Sequence, residues 1–353
     1  MKEVHLLEKL QAYSQQNLPL VIFAEPNSHE VNLYVQKTKV LHESKTFSED
    51  GFILAPFNSQ EPVLFLPFDE AKHYQETLSF SEIEVAPIER ERTKEQQEQH
   101  KALVTKGINF IADGLAEKIV LAREEQVSLK EWDPSLVMKR LLQLYPTAFR
   151  FMWFHPQIGW WCGATPETLV QAEKEMFYTM ALAGTQPYEG KEPAWRLKER
   201  EEQQYVTDTI LSQITSLCKE INVSEVYTQP AGMVAHLRTD IDGAMLPSTT
   251  INTIARAIHP TPAICGTPTS VAQDFIIKEE HFHRKFYAGF LGVIQPKQKS
   301  RLYVNLRSMS IKDKLASLYI GGGITIDSNP QEEWIETCNK TQTMLRVLKP
   351  LIE

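Results

Sequence analysis

Between residues 18 and 70 the apolar positions come in short dense runs: LPLVIFA, VNLYVQ, GFILAPF and PVLFLPF. Pro, Asn and Gly separate them, so each run reads as a strand bounded by turns. The preceding MKEVHLLEKLQAYSQQ has the spacing of an amphipathic helix. The most polar stretch, ERERTKEQQEQHK over 89–101, leads without a Gly or Pro break into ALVTKGINFIADG. There Leu103, Val104, Ile108 and Ile111 recur at helical spacing, which predicts a surface helix rather than a linker. KIVLAREEQVSL then predicts a strand, and DPSLVMKRLLQLYP a helix with Asp133 as N-cap and Pro134 in its first turn. FRFMWFH, GWWCGATPETLV and EMFYTMALAGTQ read as strands, with TPE as a tight turn between two extended runs. Residues 193–221 predict a long helix opened by Pro193, and AGMVAHLRTDIDG is extended again. TTINTIARAIHPTPAICGTP reads as a helix ending in a Pro-rich turn, and VAQDFIIKEE as a further helix. FYAGFLGVIQP and RLYVNLRSMSI read as strands, LASLYIGGGITIDS as a strand running into a glycine loop. A last helix opens at Asn329-Pro330. No repeat or low-complexity tract interrupts this order. Runs of adjacent strands with irregularly placed helices predict an α+β layered fold with antiparallel sheets, not a regular βαβ array.

Length and charge narrow the function. The chain has 353 residues, 42% of them hydrophobic and 23% charged, a globular composition with room for a large core. Its formal net charge is -8 and the one basic run, in QPKQKSRL, is short, which argues against a nucleic-acid surface. Cys162, Cys218, Cys265 and Cys338 are widely spaced, so neither a zinc site nor a disulfide framework is indicated. Reduced thiols, a polar N-terminus and no run of membrane-spanning length lead to the expectation of a cytoplasmic protein that does not enter the membrane.

Chemistry concentrates in a few places. Glu199 and Glu202 stand at i, i+3 in one predicted helix, Glu333 and Glu336 in another. The first pair continues along its face to Val206 and Ile210, the second to Lys340, Met344 and Val347. Acids that extend an apolar stripe need a neutralising partner. Two such pairs meeting across a cleft would offer all-oxygen coordination to a hard cation, most simply Mg2+. Acids in helical first turns also arise simply because they suit the macrodipole. Lys118 opens a strand, where it can snorkel to water or, if its ammonium is destabilised, act as a base. Glu167 follows Pro166 in GATPETL, as a turn carboxylate in water or as an acid whose proton is held by an apolar pocket. Gly184-Thr185 and Gly321-Gly322-Gly323 can present backbone N–H groups but match no phosphate loop. Arg307 in a strand asks for a carboxylate partner, Tyr287 reads as core with a usable hydroxyl, and His236 as a structural histidine.

In their order, KIVLAR, GATPETL, ALAGT, KEREEQQYV, HLRT, HPTPAICGTP, FYAGFLG, NLRS and GGGITIDSNPQEEWIETCNK resemble the chorismate-utilising enzymes. That family includes isochorismate synthases, salicylate synthases and the large subunits of anthranilate and aminodeoxychorismate synthases. The likeness covers a catalytic core of residues 96–353, with 1–95 as a variable part, short for the family, that completes one domain over 1–353. It implies an α/β sandwich of two large, mainly antiparallel sheets flanked by helices.

The resemblance also implies roles. Glu202 and Glu336 match the acids that hold Mg2+, and Glu199 and Glu333 those that support it. Tyr287 and Arg307 match the pair that binds the enolpyruvyl carboxylate of chorismate. Gly184, Thr185, Gly323 and Lys340 match further substrate contacts, with His236 near the ring. Lys118 matches the base that activates water and Glu167 the acid that protonates the departing hydroxyl. Ammonia users have glutamine where Lys118 stands, so water is the expected nucleophile and no glutaminase subunit is expected. Aminodeoxychorismate synthases have a lysine where Ala183 stands, and Ala181 resembles the isochorismate synthases. Salicylate synthase is the alternative. Gln186 departs from the family's usual arginine. A monomer that feeds menaquinone or siderophore synthesis would be in keeping with the family.

Overall fold

The computed structural model describes residues 5–352 except 189, 232 and 233, and of residues 185, 187, 198, 231 and 234 the backbone alone. Two antiparallel sheets make the body. The first, nine-stranded, runs in the order Gly266–Thr267, Lys118–Ser128, Leu315–Ile324, Ser308–Lys312, Gly159–Thr165, Phe149–His155, Leu20–Ala24, Glu30–Gln36, Ala71–Thr77. The second runs Cys218–Val223, Val234–Met245, Met176–Pro187, Thr168–Glu173, Lys299–Val304, Phe290–Ile294, Gly51–Ala55, Leu64–Pro67, His42–Glu43, with Tyr227–Ala231 also paired to Val234–Met245. Strands from the first eighty or so residues therefore sit in both sheets, Leu20–Ala24 beside Phe149–His155 and Gly51–Ala55 beside Phe290–Ile294.

The near-continuous apolar runs are explained by burial on both faces. In Leu20–Ala24 every residue is buried. Val21 and Phe23 enter the core shared with the second sheet, while Leu20 and Ile22 enter a separate core under helices. Phe149, Phe151 and Trp153 join the shared core with Phe52 and Tyr303, and Met152 and Phe154 point the other way. The outer core is closed by Leu6 and Leu10 of helix His5–Gln15, Val137 and Leu141 of helix Pro134–Leu144, and Met344 and Leu348 of helix Pro330–Leu348. Each fully buried Leu, Phe or Val is worth roughly 1.5–3 kcal/mol relative to exposure. Helix Lys94–Ala112 forms where the pattern predicts it, with Thr93 and Gln96 as a capping box, and Asp133 caps Leu136 as expected.

Three expectations need correction. The helix read over 193–221 spans Leu197–Ile214, so Pro193 lies before it and Cys218–Val223 is an edge strand instead. The glycines of YIGGGIT form no loop; Gly321, Gly322 and Gly323 lie inside strand Leu315–Ile324, opposite Ala122, Leu121 and Val120. That ladder occupies one edge of the strand; on the other edge strand Ser308–Lys312 pairs no further than Leu318, and Lys340 Nζ reaches Gly321 O. Finally, RLYVNLRSMSI is two strands, Lys299–Val304 in the second sheet and Ser308–Lys312 in the first. The chain turns the corner at Arg307, which has φ 47°. GWWCGATPETLV does the same, leaving the first sheet after Thr165 and entering the second at Thr168. The two corners lock together: Val304 N donates to Glu167 O at 3.0 Å, Ala164 N to Arg307 O at 3.1 Å, and Thr165 Oγ1 to Val304 O at 2.5 Å.

Candidate active site

Strand Lys118–Ser128 begins with the lysine whose ammonium reaches Glu202 Oε1 at 2.5 Å. Room for that lysine comes from Gly323 on the neighbouring strand, where an added Cβ would stand 2.9 Å from Lys118 Cε. Glu202 projects from helix Leu197–Ile214 one turn after Glu199. Glu199 is buried, and it accepts from the backbone N of Arg196 at 3.0 Å and from its guanidinium, which holds the carboxyl below its usual value. Gly184 has φ 70° and approaches so closely that an added Cβ would lie 3.2 Å from Glu199 Cβ. Positive φ and tight contact together demand glycine there.

The second acid pair sits at the start of helix Pro330–Leu348, capped by Asn329. Glu333 accepts from Ser328 Oγ at 2.7 Å. Burial raises its carboxyl above the usual range, with Glu336 adding to the effect and Ser328 opposing it. Glu336 pairs with Lys340 at 2.5 Å, and Lys340 Nζ donates to Gly321 O at 2.9 Å. An added Cβ on Gly322 would stand 3.1 Å from Glu333 Oε2 and 4.0 Å from Glu336 Oε1. The second acid pair therefore lies against the strand of glycines, whereas Glu202 of the first meets it only through Lys118, which crosses Gly323.

Among the described residues, no three acid, His or Cys side chains converge as a ready cation site. Instead a cation or hydroxyl holds each carboxylate: Arg196 on Glu199, Lys118 on Glu202, Ser328 on Glu333, Lys340 on Glu336. The donor chemistry still suits a hard divalent cation, since all four are carboxylates and Glu333 carries charge its surroundings under-compensate.

Between helix Pro330–Leu348, the strand of glycines and the Arg307 corner lies a cavity of about 150 Å³, lined by Tyr287, Leu306, Arg307, Gly321, Gly323 and Lys340 among others. Burial lowers the Arg307 guanidinium from its ordinary value, with Tyr287, Tyr145 and Glu336 acting against it, and lifts the Tyr287 hydroxyl to about 12. A phenol that stays protonated beside a guanidinium suits a carboxylate. Glu167, at the neighbouring corner, is pushed up to about 7 by burial, with nearby Lys118 pulling it down. His236 Nδ1 donates to Gly184 O at 3.2 Å, and its imidazole is held below its usual value by burial, helped by Arg307 and Lys340. The Thr185 backbone pairs with His236, while its side chain lies outside the described residues. Gln186 donates to Ala194 O at 3.2 Å, so it ties the loop entering the acid helix.

The sequence profile of the chorismate binding enzyme family matches residues 68–349. The chain belongs to that family. Isochorismate synthase DhbC of Bacillus subtilis is 30% identical over 275 residues, covering 72% of this chain and 68% of the relative. Isochorismate synthase EntC of Escherichia coli K12 is 28% identical over 290 residues, covering 78% and 72%. A Bacillus anthracis structure assigned as a 2,3-dihydroxybenzoate-specific isochorismate synthase superposes with a TM-score of 0.81 at 25% identity, over 97% of this chain and 99% of that one. Anthranilate synthase component I of Streptococcus pneumoniae shares the fold at a TM-score of 0.68 and 18% identity, over 93% and 90%. As in those proteins, two large antiparallel sheets flanked by helices carry this family's core.

Several cavity residues escaped the sequence reading. Tyr319 lines the pocket and stacks on Tyr287 with ring centroids 5.6 Å apart. Val120, Ala263 and Ile264 supply apolar wall. They read as ordinary core residues, and no local signal separates them from it. Glu280 and Arg284 were also passed over, because in KEEHFHRK they stand among other charged residues and nothing local marks them as buried.

Proposed function

We propose that this family member is an isochorismate synthase, converting chorismate to isochorismate. The observation that carries this reading is the Lys118–Glu167 pair. A lysine and a carboxyl raised to about 7 act on one another, and Gly323, against which the lysine packs, lines the cavity that Tyr287 and Arg307 share. Such a pair can supply a base and an acid to one substrate. The names of the relatives agree with it.

Arg307 and Tyr287 take the enolpyruvyl carboxylate. Lys118 removes a proton from water, whose oxygen bonds to ring C2. The ring double bonds shift, the C4–O bond breaks, and Glu167 gives its proton to the departing hydroxyl, which leaves as water. One water enters and one leaves, so substrate and product are isomers. Glu202 and Glu336, supported by Glu199 and Glu333, would hold Mg2+. The ion would neutralise the ring carboxylate and fix the ring. His236, through Gly184, keeps the strand end that faces the first acid pair in place. Thr185, Gly323 and Lys340 would complete the substrate contacts. The chain is proposed to act over 1–353 as one domain, without a glutaminase, as a monomer in the cytoplasm. No helix among the described residues is long and apolar enough to cross a membrane.

The test is a product assay with purified protein, chorismate and Mg2+, free of ammonia and resolved by HPLC. Isochorismate alone, abolished by EDTA, is the expected result. Salicylate with pyruvate would assign the sister activity, and absence of any product would sink the reading.

A further inference from the structure

At one edge of the first sheet, strand Lys118–Ser128 outruns its neighbour. The two-residue strand Gly266–Thr267 pairs only with Ile119 and Lys118. Val120 N still finds Cys265 O at 2.8 Å, but Val120 O and Ala122 N lie beyond it. They are bonded instead by a pair of side chains. Arg284 Nη2 donates to Val120 O at 2.6 Å, and Ala122 N donates to Glu280 Oε1 at 2.7 Å. The pair is itself joined, Arg284 Nε to Glu280 Oε2 at 2.8 Å and Nη2 to Oε1 at 2.6 Å. Both side chains are essentially inaccessible, at 3% and 2% exposure.

The same arginine reaches two other walls of the cavity. Its Nη1 donates to Ile264 O at 3.1 Å, and its backbone carbonyl accepts from Tyr287 N at 2.9 Å. Val120, Ile264 and Tyr287 all line the cavity. Lys118 stands two residues from Val120 on the same strand.

We infer that Glu280 and Arg284 are positioning residues: their buried ion pair replaces a missing strand and holds the Lys118 strand, the Ile264 segment and the Tyr287 turn in mutual register. An apolar pair of equal volume would fill the space as well and avoid burying charge. It would lack the donor and acceptor that the strand edge needs. The pair touches no substrate; it acts through the placement of Lys118. This rests on the base role proposed for Lys118.

The experiment compares wild type with Arg284→Lys, and with the volume-matched double variant Glu280→Leu/Arg284→Met, in case a lysine, which keeps the charge but not the guanidinium's set of donors, prevents folding. Two readouts are taken: amide exchange of the peptide covering Lys118–Arg123, and kcat and KM with chorismate. Both variants are expected to exchange faster at Val120–Ala122. Turnover should fall on the order of tenfold or more in kcat, the mark of a displaced catalytic group, and KM should rise as well because the Tyr287 turn loosens. Wild-type kcat in the folded double variant would overturn the proposal, and so would unchanged exchange. If the wild type itself does not turn chorismate over, the proposed activity fails, and the clamp is judged by exchange alone.

Discussion

Lys118 and Glu167 carry opposite demands, and the structure meets them with different surroundings. Lys118 is set against the Glu202 carboxylate, whereas Glu167 is half-buried at a corner of the sheets, where desolvation acts on its carboxyl. Lys118→Ala is expected to lower kcat by about 10²–10⁴, the range for a general base, with chorismate binding retained when measured by fluorescence titration. Full activity would remove the base assignment. For Glu167 the sign can be worked out. Its carboxyl binds a proton with a pKa of about 7 folded against 4.5 unfolded, so the folded chain holds the proton more tightly. Ionisation therefore costs stability that grows from pH 4.5 to 7 and is complete above 7. Glu167→Gln cannot ionise, and at pH 8 it should melt higher than wild type, by a gain of up to about 3 kcal/mol that is absent at pH 4. It should also lose turnover, because an amide does not donate this proton. In the wild type, kcat is expected to fall above pH 7 as the acid form disappears; a flat profile to pH 9 would contradict the acid role.

Strands that change sheets decide where site residues stand. Glu167 and Arg307 occupy the two corners, joined by backbone bonds from Val304 and Ala164. Gly163 permits this close crossing: an added Cβ would lie 2.6 Å from Arg307 O and 2.9 Å from Ser308 Cα. Gly163→Ala should thus force the corners apart, at a cost of about 1–3 kcal/mol for overpacking, and raise KM because Arg307 moves with its corner. Urea denaturation and steady-state kinetics would check both; unchanged KM would separate Arg307 from substrate binding. The existence of most strands was legible from alternating and dense apolar runs, and both acid helices from their stripes. The TPE turn of GWWCGATPETLV was legible too, but not that its two runs belong to different sheets, and the corner in RLYVNLRSMSI was not, because that run is apolar on both sides of the break. Period alone cannot tell one long strand from two strands buried in different sheets. The glycines of YIGGGIT were misread for a related reason, since glycine marks a turn as readily as a close approach inside a strand.

Across the whole molecule, two acid helices from distant parts of the chain are tied to one strand of glycines, one directly and one through Lys118. A lysine lies against one acid of each pair, Lys118 on Glu202 and Lys340 on Glu336. A divalent cation bound there would stabilise the folded chain by mass action. Adding Mg2+ should raise the melting temperature, and Glu202→Ala/Glu336→Ala should abolish that shift. An identical melt with Mg2+ and with EDTA would remove the metal site. The ordered motifs determined the family, the residue types of the site and the sandwich of antiparallel sheets, because local pattern and residue chemistry are properties of the chain itself. The tertiary structure alone decided which strands change sheets, that a half-buried Glu167 stands near Lys118, and that Glu280 and Arg284 finish an incomplete sheet edge. Burial and pairing between residues far apart along the chain depend on packing, which no local pattern encodes.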